Sequence, residues 1–233
     1  MLKKIIIAVI SASFIASAAL ADVTNVGVRI SAATLGATGS TQTDSTGTFK
    51  NTGGTAVTHK ENDGDFELPS IFIERAVDVN DQFSFNFGMD YVPMTEDVAT
   101  LGGGDGVDAK VAAGNLMTFY VQPTFVVNDM VSVYAKAGFS TGDLEVTNVT
   151  RQAGSASQTD DEQSTDTNQN KTLSGPIFGA GIQIKPAVGV ISFIRLEGTR
   201  TDFDEVQHTN SNGKLSKADA EMDLITLSIG KSF

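Results

Sequence analysis

Apolar and polar side chains alternate one by one along much of this 233-residue chain. The clearest stretch begins at Phe83 and ends at Tyr91: four aromatic residues and a methionine occupy one parity, and polar or small residues occupy the other. Successive side chains of a β-strand point to opposite faces, so a period of two predicts strands. Eight strands are predicted, namely Val23–Ala37, Leu68–Val77, Phe83–Tyr91, Leu116–Val126, Met130–Ser140, Thr172–Lys185, Val190–Thr201 and Met222–Phe233.

The connections between these strands alternate between long and short. Tight turns are predicted at Val79–Asp81, Asn128–Asp129 and Pro186–Gly189. Long polar stretches without apolar periodicity are predicted as loops at Thr38–Asp65, Met94–Ala113, Thr141–Lys171 and Thr201–Glu221. Outer-membrane barrels have short periplasmic turns and longer outer loops. The pattern therefore predicts an all-β fold: an eight-stranded antiparallel up-and-down transmembrane β-barrel with short periplasmic turns and four long outer loops.

The last strand indicates how the barrel closes. Ile225, Leu227, Ile229, Lys231 and Phe233 share one face, while the residues between them are small or hydroxyl-bearing. An apolar outer face and a small-residue inner face suit a strand between lipid and a narrow lumen. We therefore expect this strand to close the barrel.

The first residues have the features of a secretory signal. Two lysines, Lys3 and Lys4, precede the apolar run Ile5–Ile15, and Ala19 and Ala21 form a small-x-small cleavage site. The apolar run is too short for a spanning helix, which needs ~20 residues. The prediction is a signal peptide over residues 1–21, a barrel domain over residues 22–233 and a location in the outer membrane.

Composition narrows the possible functions. The formal net charge is −12, with the acidic excess in the predicted loops, and such a surface disfavours nucleic acid, whose phosphates require Lys and Arg. The chain has no cysteine, so disulfides and thiolate metal sites are excluded. No cofactor and no resident metal site are predicted.

Six ionisable residues fall on the predicted inward parity, three of each sign. An eight-stranded barrel is only wide enough for its own side chains, and charges inside it need partners. The main expectation is a structural network of salt bridges that plugs the lumen. The alternatives are a charged constriction that selects ions and, least favoured, a catalytic carboxylate pair of Glu74 and Glu197. The six residues are Arg29, Glu74, Asp90, Lys136, Arg195 and Glu197.

Other candidate chemistry is weaker. The histidines, His59 and His208, both fall in predicted outer loops without a persuasive partner, so no enzyme is predicted. The stretch Gly103–Val111 matches the glycine and aspartate positions of a calcium-binding repeat, but a single copy builds no stacked site and a flexible loop is favoured. The acidic run Asp160–Glu162, with Asp166, lacks the spacing of a calcium loop, although acidic outer loops could bridge divalent cations to lipopolysaccharide.

The whole mature chain resembles the small eight-stranded outer-membrane barrels of the OmpA, OmpX and opacity-protein kind. In that family the terminal aromatic residue is a recognition signal for the barrel assembly machinery, and the resemblance assigns this role to Phe233. It also implies contact with outer-membrane lipid and lipopolysaccharide. The likeness is carried by the alternating terminus Ile225–Phe233 and by Gly175–Gly181, Arg195–Gly198 and Val133–Gly138.

Three functions of different classes follow from these observations. The leading hypothesis is an outer-membrane barrel with a structural or surface-interaction role and a plugged interior. The second is a small porin-like channel for ions or small solutes. The third, a soluble exported β-sandwich, is opposed by the aromatic row Phe83–Tyr91 and by the polar opposite face, which carries no second apolar set.

Overall fold

In the computed structural model, residues 23–41, 62–101, 107–151, 169–186, 189–209 and 215–233 are described. All of their regular structure is β-strand. The strands are β1 (Val23–Thr41), β2 (Asn62–Asn80), β3 (Phe83–Tyr91), β4 (Thr95–Leu101), β5 (Val107–Val126), β6 (Val131–Arg151), β7 (Gln169–Ile184), β8 (Phe193–Thr209) and β9 (Leu215–Ser232). Within these ranges no helix has the length and apolarity needed to cross a membrane.

The strands form one closed antiparallel ring with eight positions. Neighbours in sequence pair in order, β9 pairs with β1, and β3 and β4 lie end to end along β5, where they share one position. At the join of β1 and β9, the backbones of Thr24 and Phe233 exchange hydrogen bonds of 3.0 and 2.9 Å. The prediction of an eight-stranded up-and-down barrel closed by the last strand is confirmed.

The alternating side chains form an apolar exterior and a polar interior of the barrel. Val28 and Ile30 of β1, Ile71 of β2 and Ile225 of β9 are each at least 49% exposed, although they belong to the most regular part of the sheet. Polar side chains of the opposite parity, such as Arg29 and Ser31, are buried in the lumen. A protein with an apolar exterior band and a polar interior is built for lipid, so the predicted outer-membrane location agrees with the fold.

Short turns join the strands at one end of the barrel. The side-chain oxygen of Asn80 accepts a hydrogen bond from the backbone of Gln82 at 2.9 Å. Asn128 accepts from Met130 and Val131 at 2.9 and 3.0 Å. These asparagines stabilise the tight turns by capping the backbone locally. By the rule for outer-membrane barrels this end faces the periplasm.

The strands are longer than predicted and extend into stretches that were expected to be loops. The longest, β6, has 21 residues, about twice the ~9–11 that a tilted strand needs to span the membrane. The loop predictions are therefore wrong for the residues in β4, for the outer ends of the other long strands, and for Val107–Val111 and His208. In a closed ring each neighbour offers backbone donors and acceptors, so pairing continues where side-chain alternation fades.

The ladder on one side of β2 ends before the outer end of the strand. The last rung between β2 and β3 joins Ile71 to Tyr91, and in the described part of the chain β2 shares no ladder with β4. We call this the β2–β4 gap. Pro69 was expected near the start of its strand but lies well inside β2, beside the gap. A proline is tolerated there because that edge of β2 has no ladder partner.

Candidate functional site: the barrel interior

The six ionisable residues predicted to face inward do meet in the lumen; we call them the ion-pair network. Its centre is Glu74, which is fully buried. Arg195 donates to both carboxylate oxygens of Glu74, from Nη1 to Oε1 at 2.6 Å and from Nη2 to Oε2 at 2.8 Å. The Tyr120 hydroxyl donates to Oε1 at 2.7 Å. This bidentate geometry is the strongest arrangement that arginine makes with a carboxylate.

Arg29 joins Glu74 to Asp90. Its Nη1 donates to Asp90 Oδ2 at 2.8 Å, its Nη2 donates to the Tyr120 hydroxyl at 2.8 Å, and Nη2 lies 3.5 Å from Glu74 Oε1. Tyr120 thus accepts from Arg29 and donates to Glu74. Asp90 is the least buried of the charged groups in these pairs, with 18% of its side chain exposed.

Lys136 and Glu197 form a separate pair. Lys136 Nζ lies 2.5 Å from Glu197 Oε1, and both side chains are buried. The Lys136 ammonium also lies 4.2 Å from the centre of the Tyr120 ring, which brings this pair alongside the rest of the network. Three positive and three negative groups are therefore paired inside the barrel, as a narrow lumen requires.

Four aromatic rings on the inward parity surround the network, and sequence reasoning missed this role. Each lies directly opposite a glycine on the neighbouring strand. The available signal was that every one of these glycines falls on the inward parity of its strand. The pairs are Gly27 with Phe72, Gly88 with Tyr120, Gly181 with Tyr134 and Gly230 with Phe193.

These glycines leave room for the rings, and the rings in turn contact the cations. A Cβ on Gly230 would lie 2.1 Å from Phe193 Cζ, closer than real atoms approach. The guanidinium carbon of Arg195 lies 4.2 Å from the Phe193 ring centre, and that of Arg29 lies 4.3 Å from the Phe72 ring centre. Cations over aromatic faces gain electrostatic stabilisation, more so when desolvated. The rings therefore add to the stabilisation that the arginines receive from the carboxylates.

Toward the outer end the lumen changes from polar to apolar. Sequence reasoning missed this because the change occurs at or beyond the ends of the predicted strands: Val92, for instance, continues the parity of Asp90. Leu144 of β6 packs against the buried set, so all eight positions of the ring contribute. We call the buried set the apolar cluster: Ala33, Leu35, Leu68, Val92, Leu116, Leu173, Phe203 and Met222.

Several other residues that were predicted to belong to sites lie outside the described residues, namely Ala19, Ala21, His59 and Asp160–Asp166. Within the described residues, no group of three or more His, Cys, Asp or Glu is arranged to hold a metal ion. Phe233 is 75% exposed, at the periplasmic end of the closing join.

Comparisons with known proteins concern the fold. No family model and no curated protein matches the chain. Several solved structures do match the chain. The attachment invasion locus protein Ail of Yersinia pestis shares 11% sequence identity with it, and the match covers 88% of this chain and 97% of Ail, with a TM-score of 0.39. OprG of Pseudomonas aeruginosa shares 12% sequence identity with this chain. The match covers 88% of this chain and 96% of OprG, with a TM-score of 0.44. The outer membrane protease OmpT of Escherichia coli shares 8% sequence identity with this chain. The match covers 94% of this chain and 99% of OmpT, with a TM-score of 0.49.

Proposed function

We propose that this protein is an outer-membrane barrel with a structural or surface-interaction role, and that its lumen is closed to ions and solutes. One observation carries the proposal. Every charged group of the ion-pair network has an oppositely charged partner within 3.5 Å inside the barrel. An eight-stranded barrel has room for its own side chains and little more. In this arrangement the network fills the inner part of the lumen, and the apolar cluster fills the outer part.

The proposal includes no catalytic activity. The two carboxylates that the sequence offered as a catalytic pair, Glu74 and Glu197, each lie against a cation, Arg195 or Lys136. Both carboxylates are therefore engaged in ion pairs with neighbouring cations. The function is therefore sought at the surface.

The proposed partners follow from the outside of the barrel. The exposed apolar band suits lipid, and carboxylates lie on the outward face just beyond its outer boundary, among them Asp65, Glu67, Asp143 and Asp223. We propose that this acidic rim and the acidic outer loops contact lipopolysaccharide, with divalent cations between the two sets of negative charges. We further propose export through cleavage after Ala21, and recognition of Phe233 by the barrel assembly machinery.

Single-channel recording tests the closed lumen. The refolded protein is reconstituted into planar bilayers after a heat-dependent gel shift has confirmed folding. We expect no lasting openings. Discrete openings from the folded wild type would overturn the proposal in favour of the porin-like channel. That alternative has one supporting observation: Asp90 Oδ1 has no protein partner, and Asp90 lines a lumen cavity. In a channel, Glu74→Gln or Arg195→Gln would change ion selectivity.

A further inference from the structure

Two small cavities lie at different levels of the lumen. The inner cavity is bounded by charged and hydroxyl groups, including Arg29, Asp90 and Lys136. The outer cavity is bounded mainly by the apolar cluster, including Leu35, Leu173 and Phe203. Each has a volume of about 20 Å³. That is enough for roughly one water molecule.

Three side chains line both cavities and therefore lie at the boundary between them. Leu68 of β2, Val92 directly after β3 and Leu116 of β5 are 4%, 6% and 9% exposed. Their strands are neighbours in the ring. We call these three residues the dividing wall. Their side chains have no polar atoms, so a water molecule at the wall would lose hydrogen bonds on that side.

The wall and the ion-pair network oppose an ion in different ways. Groups in the network can exchange one polar partner for another, so an ion or water that enters finds donors and acceptors. The wall offers none, and moving a charge into an apolar environment without partners costs many kcal/mol. Hydrophobic constrictions close channels for this reason, because they exclude the water that an ion needs.

We infer that Leu68, Val92 and Leu116 form the ion barrier of this barrel, and that the ion pairs below them fill and brace the lumen without being what stops ions. The inference rests on the proposed closed lumen and names the residues that close it. It predicts that polar substitutions in the wall open the barrel, whereas neutralising a buried ion pair does not.

The test compares three double variants with the wild type in planar bilayers, each after a gel shift has confirmed folding. The wall variant is Leu68→Ser with Leu116→Ser. Its matched control, Leu35→Ser with Leu173→Ser, makes the same chemical change at residues that line only the outer cavity. The network variant is Lys136→Met with Glu197→Gln, which removes one charge of each sign from a directly bonded pair.

We expect ion flux through the wall variant to exceed that of the wild type at least about tenfold, whereas the matched control and the network variant stay at wild-type background. If the double wall variant does not refold, single Leu68→Ser and Leu116→Ser variants replace it, each with a smaller rise. A silent, folded wall variant overturns the inference, as does a network or control variant that conducts as well as the wall variant. If the wild type itself conducts, the proposed closed lumen is wrong. That result differs from the two outcomes above, which concern only the residues that form the barrier.

Discussion

Glycine at position 230 is required by an aromatic ring on the neighbouring strand. If position 230 carried a methyl group, the three atoms nearest to it would all belong to the Phe193 ring, the closest at 2.1 Å. The barrel wall is held by hydrogen bonds on both sides of β9, to β1 and to β8. The ring has little freedom to yield, because Arg195 packs on it.

Gly230→Ala is therefore expected to lower the free energy of unfolding by about 1–3 kcal/mol, the usual cost of overpacking a core. Gly198→Ala is the control, because a Cβ there would meet nothing within 4 Å. Urea titration of the refolded barrels measures both changes. Adding Phe193→Leu to Gly230→Ala should recover part of the loss. Equal stability of the two alanine variants would contradict a steric role for the ring.

Glu74 is the residue on which the ion-pair network depends most. It accepts from Arg195 and Tyr120 and lies near Arg29, all of them buried. Neutralising it leaves two arginines facing a neutral group. Breaking a buried pair by removing one partner is usually far more costly than breaking an exposed pair.

We expect Glu74→Gln to reduce the free energy of unfolding by about 3–5 kcal/mol. Asp223→Asn is the control, since Asp223 pairs with Arg200 at 3.5 Å where both side chains are at least half exposed. Its effect should be much smaller than that of Glu74→Gln, because solvent screens an exposed pair. The comparison is made by urea titration at constant salt. A small effect at Glu74 would show that the network is not what holds the inner part of the lumen together.

At the scale of elements, the β2–β4 gap leaves the outer part of β2 with a ladder on one edge only. The ladder between β1 and β2 continues from the rung of Val23 and Ala76 to that of Ala37 and Asn62, whereas the pairing of β2 on its other side ends at Ile71. The gap begins where the exterior changes from apolar residues to carboxylates. Exposed carboxylates avoid hydrocarbon, so this part of the wall is expected to lie beyond it, where water can satisfy backbone groups that have no ladder partner.

Amide hydrogen exchange in detergent micelles should reveal this gap. Backbone amides of Gly64–Ser70 that point away from β1 are expected to exchange faster than those of Gly27–Ala33, which lie between β2 and β9. The physical reason is that exchange from an unpaired edge needs no opening of a ladder. Uniform slow exchange along both edges of β2 would mean that β2 and β4 pair in solution.

At the scale of the whole molecule, the placement of apolar side chains decides how the protein behaves in a cell. Its exterior band contains exposed residues such as Val28, Ile71 and Ile225, and its interior contains the charges. This is the inverse of a soluble barrel. The protein is thus expected to remain in the membrane fraction through washes with high salt and to be released by detergent. Release by salt alone would favour the soluble sandwich.

Much of this organisation could be predicted from residue order alone. The period of two determined which side chains face lipid and which face the lumen, because strand geometry leaves a side chain only two directions. It therefore identified Arg29, Glu74, Asp90, Lys136, Arg195 and Glu197 as interior residues, and it identified the closing strand. The turn-forming role of the asparagines could also be predicted, because their hydrogen bonds join residues close in sequence.

Only the tertiary structure decided which interior groups meet. The bond from Arg195 to Glu74 joins residues 121 positions apart, and its partner choice depends on the register of every strand between them. The glycine-to-ring pairs, the dividing wall and the β2–β4 gap likewise exist only once the ring closes. Parity is a property of one strand, whereas register and closure are properties of all strands together.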